Sequence, residues 1–419
     1  MVSIRYLSLA MLLVATSGVP SEARSQTPAS DTLRLADVVA EFKQANPMLT
    51  AARFAAEASA ARVSQAGALP DPMLLLGLMN RPLDGGADQM MTMNWVGVSQ
   101  TLPWPGKLGF SERRAEHLAR ASDLDADEME AALIAGLKSV YFQVAFMDRA
   151  QDIMQATRDL LRDFLEVTSA QYAVGTGLQQ DILQAQVAIA RMTADITVVQ
   201  QNRIAMAARL NALLGRPATV PLGALELPAP DDPVPEVESL MLMAAERRPA
   251  IMAARERALA AEADYRAARR AVYPDFNLAL GYGQRPQFDD LATLQVGITV
   301  PVWAGSSQLP KRREMEAMRS MEEARELNLH NETFARLAEL RASAVRARDL
   351  ASLYETSILP QAGAAVESSL SAYRVGGVDY MTLLTNQMTV NQFEIESVRL
   401  AAEYQESVAA IEALTGAGE

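Results

Sequence analysis

The chain has 419 residues, with 51 acidic against 38 basic side chains, a formal net charge of −13 and no cysteine. The acidic balance argues against a nucleic-acid partner, because phosphate binding needs basic surface; the missing thiol excludes disulfides, thiolate metal centres and a cysteine nucleophile. Half of the residues are apolar, yet aromatics are only 5% and the mean hydropathy is +0.01, a mixture that suits long helices packed on one another rather than a bundle of membrane helices.

In chain order, residues 1–25 read as a secretory signal peptide: Arg5, an apolar run over Tyr6–Val19, and small residues at Ala23 and Ser25. The run is shorter than the roughly 18–20 residues of a spanning helix. With no cysteine to acylate, the exported chain 26–419 is not expected to be a lipoprotein, and no later run is expected to cross a membrane as a helix.

A first helix is predicted over about Thr32–Ser64, then two strands. "MLLLGLM" (Met73–Met79) is apolar throughout, whereas "NWVGVSQT" sets Val96 and Val98 opposite Trp95, Gly97 and Ser99. Strand two runs into "LPWPGK" (Leu102–Lys107). A helix of exceptional length is predicted over Lys107–Ala173, which contains no proline and only Gly109 and Gly136. Its residues Leu133, Leu137, Val140, Val144, Met147, Met154, Leu161, Leu165 and Tyr172 fall on a 4-3 spacing, the seam of a coiled coil. The turn "VGTG" (Val174–Gly177) and a shorter helix ending in "LNALLG" (Leu210–Gly215) follow.

After Pro217, Pro221, Pro228, Pro230, Pro233 and Pro235, a stiff extended linker over 217–235, the series begins again. A helix is predicted over about Glu236–Val272. In "FNLALGYG" Phe276, Leu278, Leu280 and Tyr282 alternate with Asn277, Ala279, Gly281 and Gly283; in "TLQVGITVPV" Leu294, Val296, Ile298, Val300 and Val302 alternate with Thr293, Gln295, Gly297, Thr299 and Pro301. A second long helical stretch covers about Lys311–Arg374, and "VGGV" (Val375–Val378) repeats the turn. Landmarks recur at an offset of about 201 residues, as Tyr172 with Tyr373, Gly175 with Gly376 and Gln186 with Gln387, which marks a duplicated unit, about 32–216 and 236–416.

Strands of about 9–11 residues suffice to cross a bilayer when tilted, and Trp104 and Trp303, just past the second strand of each unit, stand where interfacial aromatics belong. Four strands cannot close a barrel, and an open edge in lipid leaves backbone groups unpaired. Three copies would give twelve strands and room for a passage. The fold class expected is therefore mostly α with a small transmembrane β part: long coiled-coil hairpins below a trimeric, 12-stranded barrel.

The order of elements, the duplication, "ALPDP", "LPWPGK", and the pair "QYAVG…DILQAQ" and "AYRVG…LLTNQ" resemble the TolC-like outer-membrane efflux family over essentially the whole exported chain. "LPWPGKL" and "ALPDP" lean toward its heavy-metal branch. The resemblance implies a homotrimer in outer-membrane lipid with a helical tunnel across the periplasm. It also implies a periplasmic adaptor (membrane fusion protein) docked on the tip, and an RND-type inner-membrane pump driven by the proton gradient. Cargo would be heavy-metal cations or, alternatively, drugs and other organic compounds; an exported coiled-coil scaffold without a pore is the other alternative. The docking tip is expected at Val174, Gly175, Val375 and Gly376, and the gate at Tyr373, Arg374 and Asp379, with Pro360 kinking the second long helix into a mobile leaf. Acids that the family often carries at positions matching Thr382 and Thr385 are threonines here.

No catalytic constellation and no cofactor are expected. His117 and His330 fall in polar helical stretches, not in a metal-ligating pattern. Asp123, Asp125, Asp127, Glu128 and Glu130 read as a solvated helix face. Met90, Met91 and Met93 in "QMMTMNW" read as a loop or strand end rather than a Cu(I) site.

Overall fold

The computed structural model describes residues 33–81, 92–286 and 288–417; the expected signal peptide 1–25, with Met90 and Met91, lies outside them. The chain is mostly helical. The first series is α1 (Leu35–Ala45), α2 (Pro47–Gly67), β1 (Met73–Met79), β2 (Met93–Leu102), α3 (Lys107–Ala173) and α4 (Gln179–Leu213). The second is α5 (Val237–Arg247), α6 (Pro249–Arg270), β3 (Asp275–Gln284), β4 (Leu291–Thr299), α7 (Gln308–Leu353), a π turn (Tyr354–Ile358), α8 (Leu359–Arg374) and α9 (Tyr380–Thr415).

Each first helix expected from the sequence is in fact two. Pro47 and Pro249 occupy the first position of α2 and α6, and the residue before a proline is pushed out of the helical region. Asn46 has ψ 118 and accepts hydrogen bonds from the Met48 and Leu49 amides. Arg248, its counterpart, has no such side chain. There Glu128 of α3 accepts from the Ala250 amide (3.1 Å) and from the Arg248 guanidinium. The acidic run of α3 is thus not merely solvated: Asp125 pairs with Arg257 and Glu130 with Lys43 and Arg53, fastening α3 to α1, α2 and α6.

The α3 seam holds through Leu137, Val140 and Val144 and drifts beyond. Thr157, Leu161, Phe164 and Thr168 are buried there, whereas Tyr172 is 47% exposed. A straight helix advances 3.6 residues per turn and leaves a strict seven-residue seam behind. The largest apolar core joins Val38 and Phe42 of α1 to Leu137, Tyr141 and Val144 of α3 and to Leu210 of α4. Each such side chain contributes about 1.5–3 kcal/mol on burial. The Tyr141 hydroxyl donates to the Leu33 carbonyl (2.8 Å) and accepts from the Glu226 amide (3.1 Å), so the linker is tied down along the helices.

Two helices pass, by composition, a test that the sequence reading had denied them. An 18-residue window in α3 and another in α4 are apolar enough to cross a membrane. In α3 Ile134, Leu137, Val140, Tyr141, Phe142 and Val144 are buried in the core with α1 and α4. In α4 many face outward: Leu183, Val187, Val198 and Ile204 are 54–67% exposed.

The four strands form one antiparallel sheet in the order β1-β2-β3-β4. Registers such as Leu76↔Val96, Val98↔Leu280 and Leu280↔Leu294 align one apolar face across all four strands. The side-chain period of two then puts Trp95, Gly97, Ser99, Asn277, Ala279, Gly281, Gln295 and Gly297 on the other face. The ambiguity of β1 is resolved by this register: Leu74, Leu76 and Leu78 join the apolar face.

At the helical end of the sheet, Asp275 accepts from the Trp104 amide (2.7 Å) and from Lys107 Nζ (2.8 Å). The indole of Trp104 stacks on Tyr273 and Phe276, with centroids 5.1 and 5.7 Å away. Gly106, at φ +92, makes the left-handed step into α3. Trp303 is 75% exposed.

Candidate functional site

The far ends of the two long helices lie side by side. Both end in the same way. The Gly175 amide bonds to the Tyr172 carbonyl and the Thr176 amide to that of Gln171; Gly376 and Gly377 do the same with Tyr373 and Ala372. This is the Schellman closure, in which the glycine sits left-handed, here at φ +80 and +74. Val174 and Val375 project outward, 75% and 84% exposed.

Of the expected gate residues, the fold buries one and exposes two. Tyr373 is 5% exposed and packs with Leu161, Phe164, Met192 and Leu383 in a core shared by the two hairpins. Its ring meets Tyr380 edge to face at 5.9 Å, and its carbonyl accepts from Gln171 Nε2 at 3.3 Å. Arg374 faces solvent. Asp379 is the N-cap of α9: it accepts from the Thr382 amide (2.9 Å) and from the Thr382 hydroxyl, bonds that hold its carboxyl below the ordinary carboxylate range. The carboxylate is thereby committed to the turn, with Thr382 as its partner.

Two further residues belong here that the sequence reading missed. Tyr380 is wholly buried, and its hydroxyl has no hydrogen-bond partner among the described residues. Burial, with the Tyr373 and Asp181 charges adding to it, pushes its pKa up to about 12. Asp181 is 9% exposed, and burial raises its pKa, opposed by a backbone hydrogen bond at Leu178 and helped to a smaller degree by the Asp379 charge. The signal was present as a failure of the repeat: at the common offset Tyr380 stands against Gln179, and Asp181 against Thr382. A cleft of about 690 Å³ opens between the turns, bordered by Gln171, Asp181, Tyr373, Arg374, Val375 and Asp379.

Pro360 does not break its helix. The chain widens into the π turn Tyr354–Ile358 immediately before it, a local unwinding that accommodates a residue with no amide hydrogen to donate. The histidines lie elsewhere. His117 Nδ1 is 2.7 Å from Glu256 Oε2, which also accepts from Arg120, and His330 meets the Phe334 ring.

The model of the family described as outer membrane efflux protein matches residues 38–216 and 240–417. The pyoverdine export outer membrane protein OpmQ of Pseudomonas aeruginosa is 27% identical over 329 residues, 75% of this chain and 67% of that protein. The protein of the same name from Pseudomonas putida is 24% identical over 88% of this chain and 78% of its own. Among solved structures, CusC superposes with a TM-score of 0.82 at 17% identity, covering 92% of each chain. VceC of Vibrio cholerae gives 0.78 at 18%, covering 91% of this chain and 96% of that one. These likenesses, over both series of elements, establish the fold and its setting: the chain belongs to the outer membrane efflux protein family and resides in the outer membrane, with its helices reaching into the periplasm.

Proposed function

We propose that three copies of the chain close a twelve-stranded barrel and form the passive exit duct of a tripartite efflux system. The observation that carries this reading is the sheet. Its apolar face is uncovered over much of its extent, with Leu76, Leu294 and Val296 at 66–75% exposure, and β1 and β4 each pair on one side only among the described residues. Lipid covers such a face, and the two free edges pair with further copies, because unpaired backbone in hydrocarbon costs several kcal/mol per group. The outward apolar stripe of α4 supports the same assembly below the membrane.

In this reading the exposed Val174–Gly175 and Val375–Gly376 turns receive the periplasmic adaptor, which joins the duct to an RND-type inner-membrane pump. The gate is the contact between hairpins at Tyr373 and Tyr380, and opening swings α8–α9 away from α3–α4. Trp104 and Trp303 mark the periplasmic edge of the barrel in the outer membrane. Two cargo classes rest on different observations. Heavy-metal cations follow from the "LPWPGKL" and "ALPDP" phrases. Organic compounds follow from the pyoverdine export named for the sequence relatives. Complementing an export-deficient strain and measuring survival on both classes decides between them.

The barrel is tested by charge placement. Leu278→Lys, on the apolar face, is expected to cost about 2–4 kcal/mol near the membrane midplane and to abolish trimers in the outer membrane. Thr299→Lys, on the opposite face, leaves them intact. Equal tolerance of the two substitutions overturns the barrel.

A further inference from the structure

The face of the sheet turned away from the apolar side carries one unusual feature. It consists of small and uncharged polar side chains along much of β2, β3 and β4, with Ser99 Oγ bonded to Asn277 Oδ1 at 2.9 Å. Trp95 is the one aromatic that the strands place on this face among the described residues. Its indole does not stand out from the sheet. It lies down over the directly opposed pair Gly97 and Gly281. A Cβ built on Gly97 would fall 2.4 Å from the ring, and one on Gly281 2.5 Å. Neither position can carry any other residue unless the ring lifts. The pattern recurs one step toward the loop, where the Met93 thioether lies 2.5 Å from where a Cβ of Gly283 would be. Glycine in a strand interior weakens the strand, and here three of them make room for side chains that lie flat.

One face of the indole is sealed on glycine backbone, and the other faces away from the sheet. We propose that Trp95 and its two symmetry copies form an aromatic collar at the outer end of the duct, a stacking platform that contacts cargo and favours solutes bearing a flat aromatic group. This rests on the duct reading, because only in a closed barrel does this face line a passage. The glycine seat does two things at once. It keeps the ring against the wall, so the lumen stays open, and it fixes the ring's orientation, so a flat solute meets a prepared surface with no side-chain freedom left to lose. Trp95 lies near the start of β2, at the end of the sheet remote from α3, so the collar stands at the outer end of the duct.

The test uses the assembled full-length protein in lipid vesicles. The chain has three tryptophans, so W104F/W303F leaves Trp95 as the sole indole reporter. Methyl viologen, flat and water-soluble, is expected to quench it along a saturable isotherm, with acrylamide giving only collisional, linear quenching. Gly97→Ala and Gly281→Ala, which lift the ring, should each weaken the viologen isotherm about five- to tenfold. Linear viologen quenching, or glycine variants with unchanged affinity, overturns the collar. Choline competing as well as a flat solute does would show recognition of charge alone and overturns the stated preference. Quenching by brominated acyl chains would instead place Trp95 in lipid, and then the duct reading itself fails. If W104F/W303F does not assemble, viologen-induced current noise in planar bilayers is read on the otherwise natural trimer. Its loss in Trp95→Ala supports the collar, and identical noise overturns it.

Discussion

The two turns at the periplasmic tip have nearly the same backbone and nearly opposite side-chain economies. Both close by the same pair of hydrogen bonds over a left-handed glycine. Yet Tyr172 is 47% exposed where its counterpart Tyr373 is 5% exposed. The first turn enters its second helix at Leu178, which supplies no capping bond, whereas Asp379 caps α9. Gln179 lies in solvent where Tyr380 is wholly buried. A shared backbone frame thus fixes where the chain reverses, and unequal side chains decide which turn is anchored inward and which is left facing out.

The strongest way to break this comparison is to remove the inward anchor. Tyr380→Ala is expected to destabilise the tip by about 3–5 kcal/mol, the cost of an aromatic-sized cavity. Tyr172→Ala should stay within about 0.5 kcal/mol. Hydrogen exchange of the tip amides measures both, and resting conductance in planar bilayers should rise only for Tyr380→Ala. Equal effects would mean that the second hairpin is not held through its tyrosines.

Where the turns agree, substitutions should agree. Gly175→Val and Gly376→Val each place a β-branched residue at positive φ, at about 1–2 kcal/mol. Nothing lies within 4 Å of a Cβ at either position, so backbone conformation alone carries the penalty. Trimers should persist in the outer membrane while adaptor cross-linking and export are lost. Export that survives either change places docking elsewhere.

Acidity should separate the carboxylates. Asp181 has a raised pKa, so the fold favours its neutral form, and the tip gains stability as pH falls through that raised value. Asp379 has a lowered pKa, so its capping contribution is present above the ordinary carboxylate value and is lost as pH falls through the lowered one. The resting conductance should therefore pass through a minimum in mild acid. Asp181→Asn should flatten the approach from neutral pH, and Asp379→Asn should remove the rise at lower pH. The smallest effect is a repair: Leu178→Ser supplies the cap that the first turn lacks and should slow exchange at the start of α4 by about 0.5–1 kcal/mol.

Much of this was legible in the sequence, for reasons that the elements make plain. The ends of α3, Lys107 and Ala173, were readable because a proline–glycine phrase and a glycine turn bracket a run with no proline inside. The faces of β2, β3 and β4 were readable because period two needs only local alternation. The splits at Asn46 and Arg248 were not expected, although Pro47 and Pro249 stood in view, because apolar spacing continues across them. The π turn before Pro360 is invisible to a pattern of apolar residues, since it changes hydrogen bonding and not composition. Asp181 and Tyr380 were missed for a different reason. They become neighbours only when the two hairpins pack on each other, and a periodicity read within one hairpin says nothing of its partner.

The unbroken course of α3 has a consequence for the cell envelope. At 1.5 Å per residue its 67 residues span about 100 Å, from a start clamped to the sheet by Lys107 and Asp275 to the turn at Gly175. A helix without a proline is a ruler, and the turn of its apolar stripe sets the graduations. Removing seven residues from each long helix shortens the reach by about 10 Å and returns the seam to its partner, whereas removing three or four turns the apolar stripe aside. The distance at which this protein can meet whatever approaches from the inner membrane is written as a residue count, and it can change only by deletions that bring the apolar stripe back round to its partner.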